Sequence, residues 1–373
     1  MVFYRPIKLF YVVAFFIASF PLFGQINKDP EAQNIVQQAI EKTYNFEFDA
    51  AEQLTAKLKS KYGQHPVVPL LKAMRLQWQF LPMAANAPVL KQYQETLNAC
   101  IINAKKLLQN PQTKPEGIFF LLAAHGYIAL AHNYNKENLK AAGEGRKAYG
   151  YLTDSFGFLE QYDEFLFTTG MYNYYIEQYP EDHPMVRPIM FFFKNGDKAL
   201  GLKQLELALK KGTFTRWEAC SFMRHIFIKH ETCFDKAQYY AKISADKFPD
   251  NPVYLMQYIE ALALDTRLNE AAALQIKFKK YANGFYASGW HLFEAIIEEK
   301  RDKDDVSAAE NYQSVLNYPI VETFTREYHA LAYAGLARIA ARKNEPKKAK
   351  MYYQKCLALA EYESTIKGAK LSL

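Results

Sequence analysis

The chain has 373 residues, half of them hydrophobic and 23% charged, with 16 glycines and 16 prolines, a composition that excludes a disordered or collagen-like polypeptide. Its formal net charge of +7 is dispersed over short pairs such as Lys105-Lys106, Lys210-Lys211 and Lys347-Lys348. No basic block of the kind that grips nucleic acid is present, and a nucleic-acid partner is not expected.

Residues 1–24 read as an export signal: Arg5 and Lys8 begin it, an apolar run follows from Leu9 to Phe23, and Ser19, Pro21 and Gly24 interrupt the run ahead of a polar stretch. The run is shorter than the roughly 20 apolar residues that span a bilayer and holds Pro21, so cleavage near Gly24 or Gln25 is expected, with no membrane span afterwards and a periplasmic or secreted product. The first cysteine is Cys100, far from that boundary, so no lipid-anchor cysteine is expected there.

From residue 25 onward apolar residues recur at three and four positions, the helical period, and strand alternation is absent. Helices are expected at about 29–43, 47–62, 66–80, 89–108, 116–133, 137–152, 160–178, 185–193, 198–211, 214–230, 233–248, 252–265, 268–283, 286–301, 304–317, 323–342 and 346–361, with Pro82, Pro111, Pro180, Pro249 and Pro319 among the breaks. One pattern occurs twice with identical spacing: Phe48-Asp49-x-Ala51, Lys61-Tyr62 and Pro66, then Phe234-Asp235-x-Ala237, Lys247-Phe248 and Pro252. Such self-similarity marks a repeat array, each unit a helical hairpin that buries its apolar face against the next.

The final hairpin shows the unit best. Tyr333, Leu336, Ala337 and Ala340 form one stripe, Asn344-Glu345-Pro346 a turn, and Ala349, Tyr353, Cys356 and Leu357 the facing stripe. Ala308 with Tyr312, and Leu255, Tyr258, Leu262 and Ala271 after Phe248-Pro249, keep the same register. This pattern resembles the tetratricopeptide repeat, in which small residues let two helices approach while an aromatic fills the gap beside them. The resemblance implies an all-α fold, a right-handed α-solenoid of helix-turn-helix units. It divides the expected solenoid, residues 25–373, into N-terminal repeats to 155, an aromatic-rich irregular middle over 156–215, and C-terminal repeats over 216–373.

Between Phe156 and Phe193 aromatics crowd together, with Tyr172, Tyr174 and Tyr175 on one helix. Aromatics at helical spacing are usually core, but three neighbours cannot all face inward, so at least one is expected at solvent or a partner. Asp197 is placed to cap the helix that follows it, Thr213 or Thr215 the next, and Gly201 to permit close helix contact. The order Gly170-x-Tyr172-x-Tyr174, Gly196-Asp197, Gly201 and Gly212-x-Phe214-Thr215-Arg216 is similar to a group of poorly characterised bacterial tetratricopeptide proteins.

No nucleophile elbow, zinc-binding His-Glu-x-x-His or phosphate loop occurs, and His125 and His132 are too far apart for one metal. The four cysteines have no paired spacing and are expected as free buried thiols. A non-enzymatic protein without cofactor or metal is therefore expected. The resemblance implies a concave groove that binds a protein or peptide, with Met256, Glu260, Phe293, Arg338 and Arg342 facing it by repeat position, and Tyr172 and Tyr175 as further binding candidates. The chaperone-tail clamp of some family members is not expected, since Ala334 and Arg338 stand where it needs Lys and Asn. A glycan-binding helical-repeat protein is the alternative.

Overall fold

The computed structural model describes residues 25–322 and 324–373, and the expected export signal lies outside them. Every regular element among the described residues is helical. Eight hairpins succeed one another, each packing on the next. They are α1 (Pro30–Tyr44) with α2 (Phe48–Tyr62), α3 (Val67–Gln79) with α4 (Ala87–Leu107), and α5 (Lys114–Tyr134) with α6 (Asn138–Ser155). Next comes α7 (Phe165–Asp182), then the one-turn α8 (Arg187–Met190), then α9 (Lys198–Lys211), which pairs with α7. The array continues with α10 (Arg216–Lys229) and α11 (Phe234–Lys247), α12 (Pro252–Leu264) and α13 (Leu268–Phe278), α14 (Gly284–Ile297) and α15 (Asp305–Leu316), and α16 (Arg326–Arg342) with α17 (Pro346–Leu359), closed by α18 (Glu363–Leu371). This is the all-α, tetratricopeptide-like array expected, and the duplicated pattern falls on equivalent elements. Phe48 and Phe234 each open the second helix of a hairpin, and Pro66 and Pro252 each introduce the next.

Six hairpin turns share a backbone device that the sequence hides. Phe46, Lys136, Thr232, Thr266, Lys303 and Asn344 all adopt positive φ, between 50° and 63°. In four of these turns the amide of the next residue donates to the carbonyl five positions back, at 2.9 Å: Glu47 to Lys42, Glu137 to His132, Arg267 to Leu262 and Glu345 to Ala340. That bond ends the first helix by satisfying a carbonyl otherwise left without a partner, and glycine is the usual occupant of such a position. Only Asn344 among the six is a residue type that tolerates it well.

Where hairpins meet, carboxylates cap neighbouring helices. Thr215 makes no side-chain cap for α10. Instead Glu164, buried just ahead of α7, accepts from the amides of Thr213, Phe214 and Thr215 and from the Thr215 hydroxyl at 2.6 to 3.2 Å. Its negative charge lies where the helix dipole favours it. Glu327 on α16 likewise accepts from the amides of Glu361 and Tyr362 ahead of α18. Asp197 caps α9 as expected, accepting from Leu200 N at 2.9 Å. Gly201 is required: a Cβ there would stand 2.7 Å from Tyr174 N and 2.8 Å from Gly170 O, where α7 and α9 touch.

Departures from the expected elements have local causes. The expected helix over 185–193 reduces to a 3-10 turn that starts at Pro184 and to the one-turn α8, whose second residue is Pro188. Helix α7 runs through Pro180 to Asp182, although that proline has no amide to donate back to Ile176. Helix α16 starts at Arg326. The polar segment after residue 361 forms α18, held by Glu327 and by burial of Thr365 and Ala369.

The array also folds back on itself. Tyr44, at the end of α1, packs against Trp78 of α3 at a centroid distance of 5.0 Å, Phe248 at 5.6 Å and Tyr254 of α12 at 6.1 Å. Its hydroxyl donates to Glu218 of α10 at 2.6 Å. Asn251 caps α12 with its oxygen while its Nδ2 donates to Tyr44 O at 2.7 Å. Lys247 pairs with Glu41 at 2.9 Å across 206 positions of sequence. The first hairpin therefore touches the fifth and sixth, whereas an open solenoid places each unit only against its neighbours.

Because Thr266 carries a β-branched side chain at positive φ, Thr266→Gly is expected to raise unfolding stability by about 1 kcal/mol, the left-handed cost less glycine's entropic penalty. Urea denaturation of the two proteins checks this.

Candidate functional site

The fold-back gathers Tyr44, Trp78, Phe248 and Tyr254 into one aromatic group between the first, second, fifth and sixth hairpins, with Tyr93 and Tyr127 near Glu218, the carboxylate that Tyr44 bonds. Burial raises the Glu218 carboxyl and the Tyr44 hydroxyl above their ordinary ranges, so the hydrogen bond between them joins a neutral phenol to an acid that resists ionisation. Tyr134, at the margin of this group, is pushed up to about 12, by burial first and by Glu218 second.

A cleft of about 880 Å³ lies near this aromatic group, within the range of ligand sites. Separate parts of the chain wall it: Gln77 and residues 81–85 after α3, the turn from Asn133 to Asn138 between α5 and α6, His225 and Lys229 on α10, residues 320–322 with Phe324, and Glu361 before α18. Lys136 and Lys229 supply positive charge, and Glu322 and Glu361 negative charge. Gln77 is fixed by Tyr93, whose hydroxyl donates to its Oε1 at 3.1 Å. His225 is held neutral, its pKa lowered by burial and by the cations Arg224 and Lys229.

The inner end of the cleft continues into a recess of about 50 Å³ that shares His225, Glu322, Phe324 and Glu361 with it. Here Arg224 Nη1 and Glu260 Oε2 pair at 3.2 Å, both side chains buried. Tyr362 donates its hydroxyl to Glu260 Oε1 at 2.6 Å. Glu327 is 4% exposed and its carboxyl is pushed up to about 7, chiefly by burial, with nearby Thr365 and the Glu361 and Tyr362 amides opposing the rise. Arg326 bonds Glu322 at 3.0 Å and approaches Glu361 at 3.7 Å on the rim.

The residues assigned to the groove from repeat position divide into three groups. Met256, Glu260 and Phe293 are only 1 to 3% exposed, so they present no open groove surface. Phe293 packs on Tyr328 at 5.5 Å, while Met256 and Glu260 border the recess. Arg338 and Arg342 come together instead on Glu299, with Nη2 to carboxylate distances of 2.6 and 2.9 Å. Arg342 also binds Asp305 at 2.6 Å, and Tyr312 donates to Glu299 at 2.7 Å. Burial opposes ionisation of Glu299, but the two guanidiniums prevail and hold it down to about 2. This cluster ties α14, α15 and α16 together and uses up the charges a ligand would need.

Tyr172 is buried and donates to Lys194 O at 2.5 Å, and Tyr174 is buried with its hydroxyl on Glu231 at 2.6 Å. Tyr175 is half-buried against His230 at 5.8 Å. The outward aromatics of the middle segment are Phe191 and Phe192, 85% and 79% exposed, and Tyr179, 50% exposed. All four cysteines are free thiols, three of them buried. Sequence reasoning missed the cleft residues Lys136, Lys229, Glu322 and Glu361. The prolines at 82 and 319 mark the breaks from which two of its walls come, but nothing local shows that those breaks meet.

No family model matches the chain, and no curated protein does. Among solved structures, a tetratricopeptide repeat protein from Parabacteroides merdae is similar at 12% identity, with 91% of this chain and 99% of that one covered. The TM-score is 0.24, too low to support any inference about fold or function. The repeat assignment stands on this chain's own hairpins.

The raised Glu327 carboxyl makes a signed prediction. With a folded pKa of about 7 against an ordinary 4.5, its contribution is fully present below pH 4.5 and is lost as pH rises through 7. Glu327→Gln is expected to match the parent near pH 4.5 and to exceed it at pH 8 by up to about 3 kcal/mol. Denaturant titrations at the two pH values check this.

Proposed function

We propose that the chain is a non-enzymatic scaffold of the bacterial cell envelope that binds a protein or peptide segment in the central cleft. The observation that carries this reading is the cleft: the large inner opening is walled by separate parts of the chain, carries charges of both signs, and adjoins a closed aromatic core. No nucleophile is paired with a base in its walls, and among the described residues no cluster suits a metal ion. Charged side chains of both signs around such an opening suit a polypeptide, whose affinity and register come from complementary potentials.

Export belongs to the same proposal and rests on the charged start, apolar run and small-residue break of residues 1–24. Among the described residues no helix is long and apolar enough to cross a membrane. A glycan platform draws no support from the central tyrosines, since Tyr172 and Tyr174 face the interior.

A photo-crosslinking residue placed at Lys136 in the cleft wall, compared in cells with one at Lys347 on the exposed face of α17, tests the reading. A discrete crosslinked polypeptide is expected from position 136 and not from 347, and it should be lost in Lys229→Glu. Equal crosslinking from both positions, or none from 136, would contradict a cleft-bound partner.

A further inference from the structure

We propose that the recess at the inner end of the cleft is a binding site for a primary ammonium group, supplied by a chain N-terminus or a lysine side chain. For the identity of the occupant this rests on the cleft reading above; the site chemistry stands on its own residues.

Charge sets the preference. The recess gathers four carboxylates, Glu260 from α12, Glu322 ahead of α16, Glu327 from α16 and Glu361 ahead of α18. Facing them are two guanidiniums, Arg224 from α10 and Arg326 from α16, while His225 is held neutral by burial. Arg224 is committed to Glu260, and Arg326 to Glu322 and Glu361. That leaves Glu327 as the carboxylate with no cation of its own.

Glu327 is also incompletely bonded. One oxygen caps the start of α18 through the Glu361 and Tyr362 amides. The other, Oε1, is fully buried and accepts no hydrogen bond of ordinary geometry, although Thr365 lies beside the carboxyl. A buried acceptor left unmade costs about 1–3 kcal/mol, more when it is charged, so a donor that reaches it is strongly favoured. Arg224 Nε is a second orphan, a buried donor with no acceptor. An α-ammonium carries a carbonyl two bonds away, which can engage that donor while the ammonium engages Glu327; a lysine side chain satisfies the carboxylate alone.

Size agrees. A volume of about 50 Å³ holds about three to five water-sized groups at roughly 10–15 Å³ each, enough for an ammonium and an adjacent small group. A metal ion is the wrong cation, because among the described residues no cluster of three His, Cys, Asp or Glu side chains has metal-binding geometry.

The test uses the full chain with the Met256 methyl, which borders the recess, as an NMR reporter at fixed ionic strength and pH 7.5. The probes are alanine amide, Nα-acetyl-lysine amide and the neutral Nα-acetyl-norleucine amide. One or both ammonium probes are expected to give a saturable shift and the neutral probe none. A response to alanine amide alone assigns the site to a chain N-terminus, and to the lysine probe alone a side chain. Binding should weaken at least tenfold in Glu327→Gln, a variant expected to fold at least as stably as the parent, and should weaken again on acidification to pH 5.5. No saturable shift from either ammonium, an equal response to the neutral probe, or undiminished binding in Glu327→Gln would overturn the proposal. Such a failure with Lys136 crosslinks intact would leave the cleft reading standing; probe binding without crosslinks would uphold the ammonium site and contradict the cleft-bound polypeptide.

Discussion

The structure depends on one long-range contact, Tyr44 inserted between Trp78, Phe248 and Tyr254 with its hydroxyl on Glu218. A helical array left to neighbour contacts would stay open and present its inner helices to solvent. Burying Tyr44 contributes about 1.5–3 kcal/mol by area, and each well-placed aromatic pair adds about 0.5–1.5 kcal/mol. Glu218 is the matching constraint: removed from water, it needs the Tyr44 donor, so loss of the phenol would leave a buried acceptor unmade. Closure therefore buries these aromatics between the first, fifth and sixth hairpins, and an opening of about 880 Å³ lies near them.

Around that contact, buried carboxylates fix the orientation of successive hairpins. Glu164 ties the entry of α7 to the start of α10, Glu327 ties α16 to α18, and Glu299 gathers Arg338, Arg342 and Tyr312 from α15 and α16. The first and third are satisfied, and what they hold is rigid. Glu327 is satisfied on one oxygen only, and it is the one of the three that borders an opening to solvent. A structural device repeated through the array thus becomes, at one place, a group with spare bonding capacity.

Much of the architecture could be read in the chain. The helical period, the prolines, the Phe48 and Phe234 repeat and the Gly201 contact all report local physics, and local physics decided them. The turn conformation escaped notice because five of its six positive-φ residues are neither glycine nor asparagine, and the array holds them there. Repeat position placed Met256, Glu260 and Phe293 on a free concave face, but the neighbouring C-terminal helices bury them, Phe293 against Tyr328, Met256 beside Gly289, and Glu260 between Arg224 and Tyr362. Arg338 and Arg342 lay on a plausible face too, but Glu299 and Asp305, a turn and a helix away, claim their charge. The cleft itself was not legible, because Lys136, Lys229, Glu322 and Glu361 come from four separate parts of the chain that only the folded array brings together.

Zero-length carbodiimide coupling of the purified monomer tests closure most directly, since Lys247 Nζ and Glu41 Oε2 stand 2.9 Å apart although 206 residues separate them. Peptide mapping is predicted to find an intramolecular Glu41–Lys247 amide beside local products such as Glu137–Lys140. Recovery of the local products without the long-range one would show that the first hairpin does not dock on the fifth, and that the inner face is open.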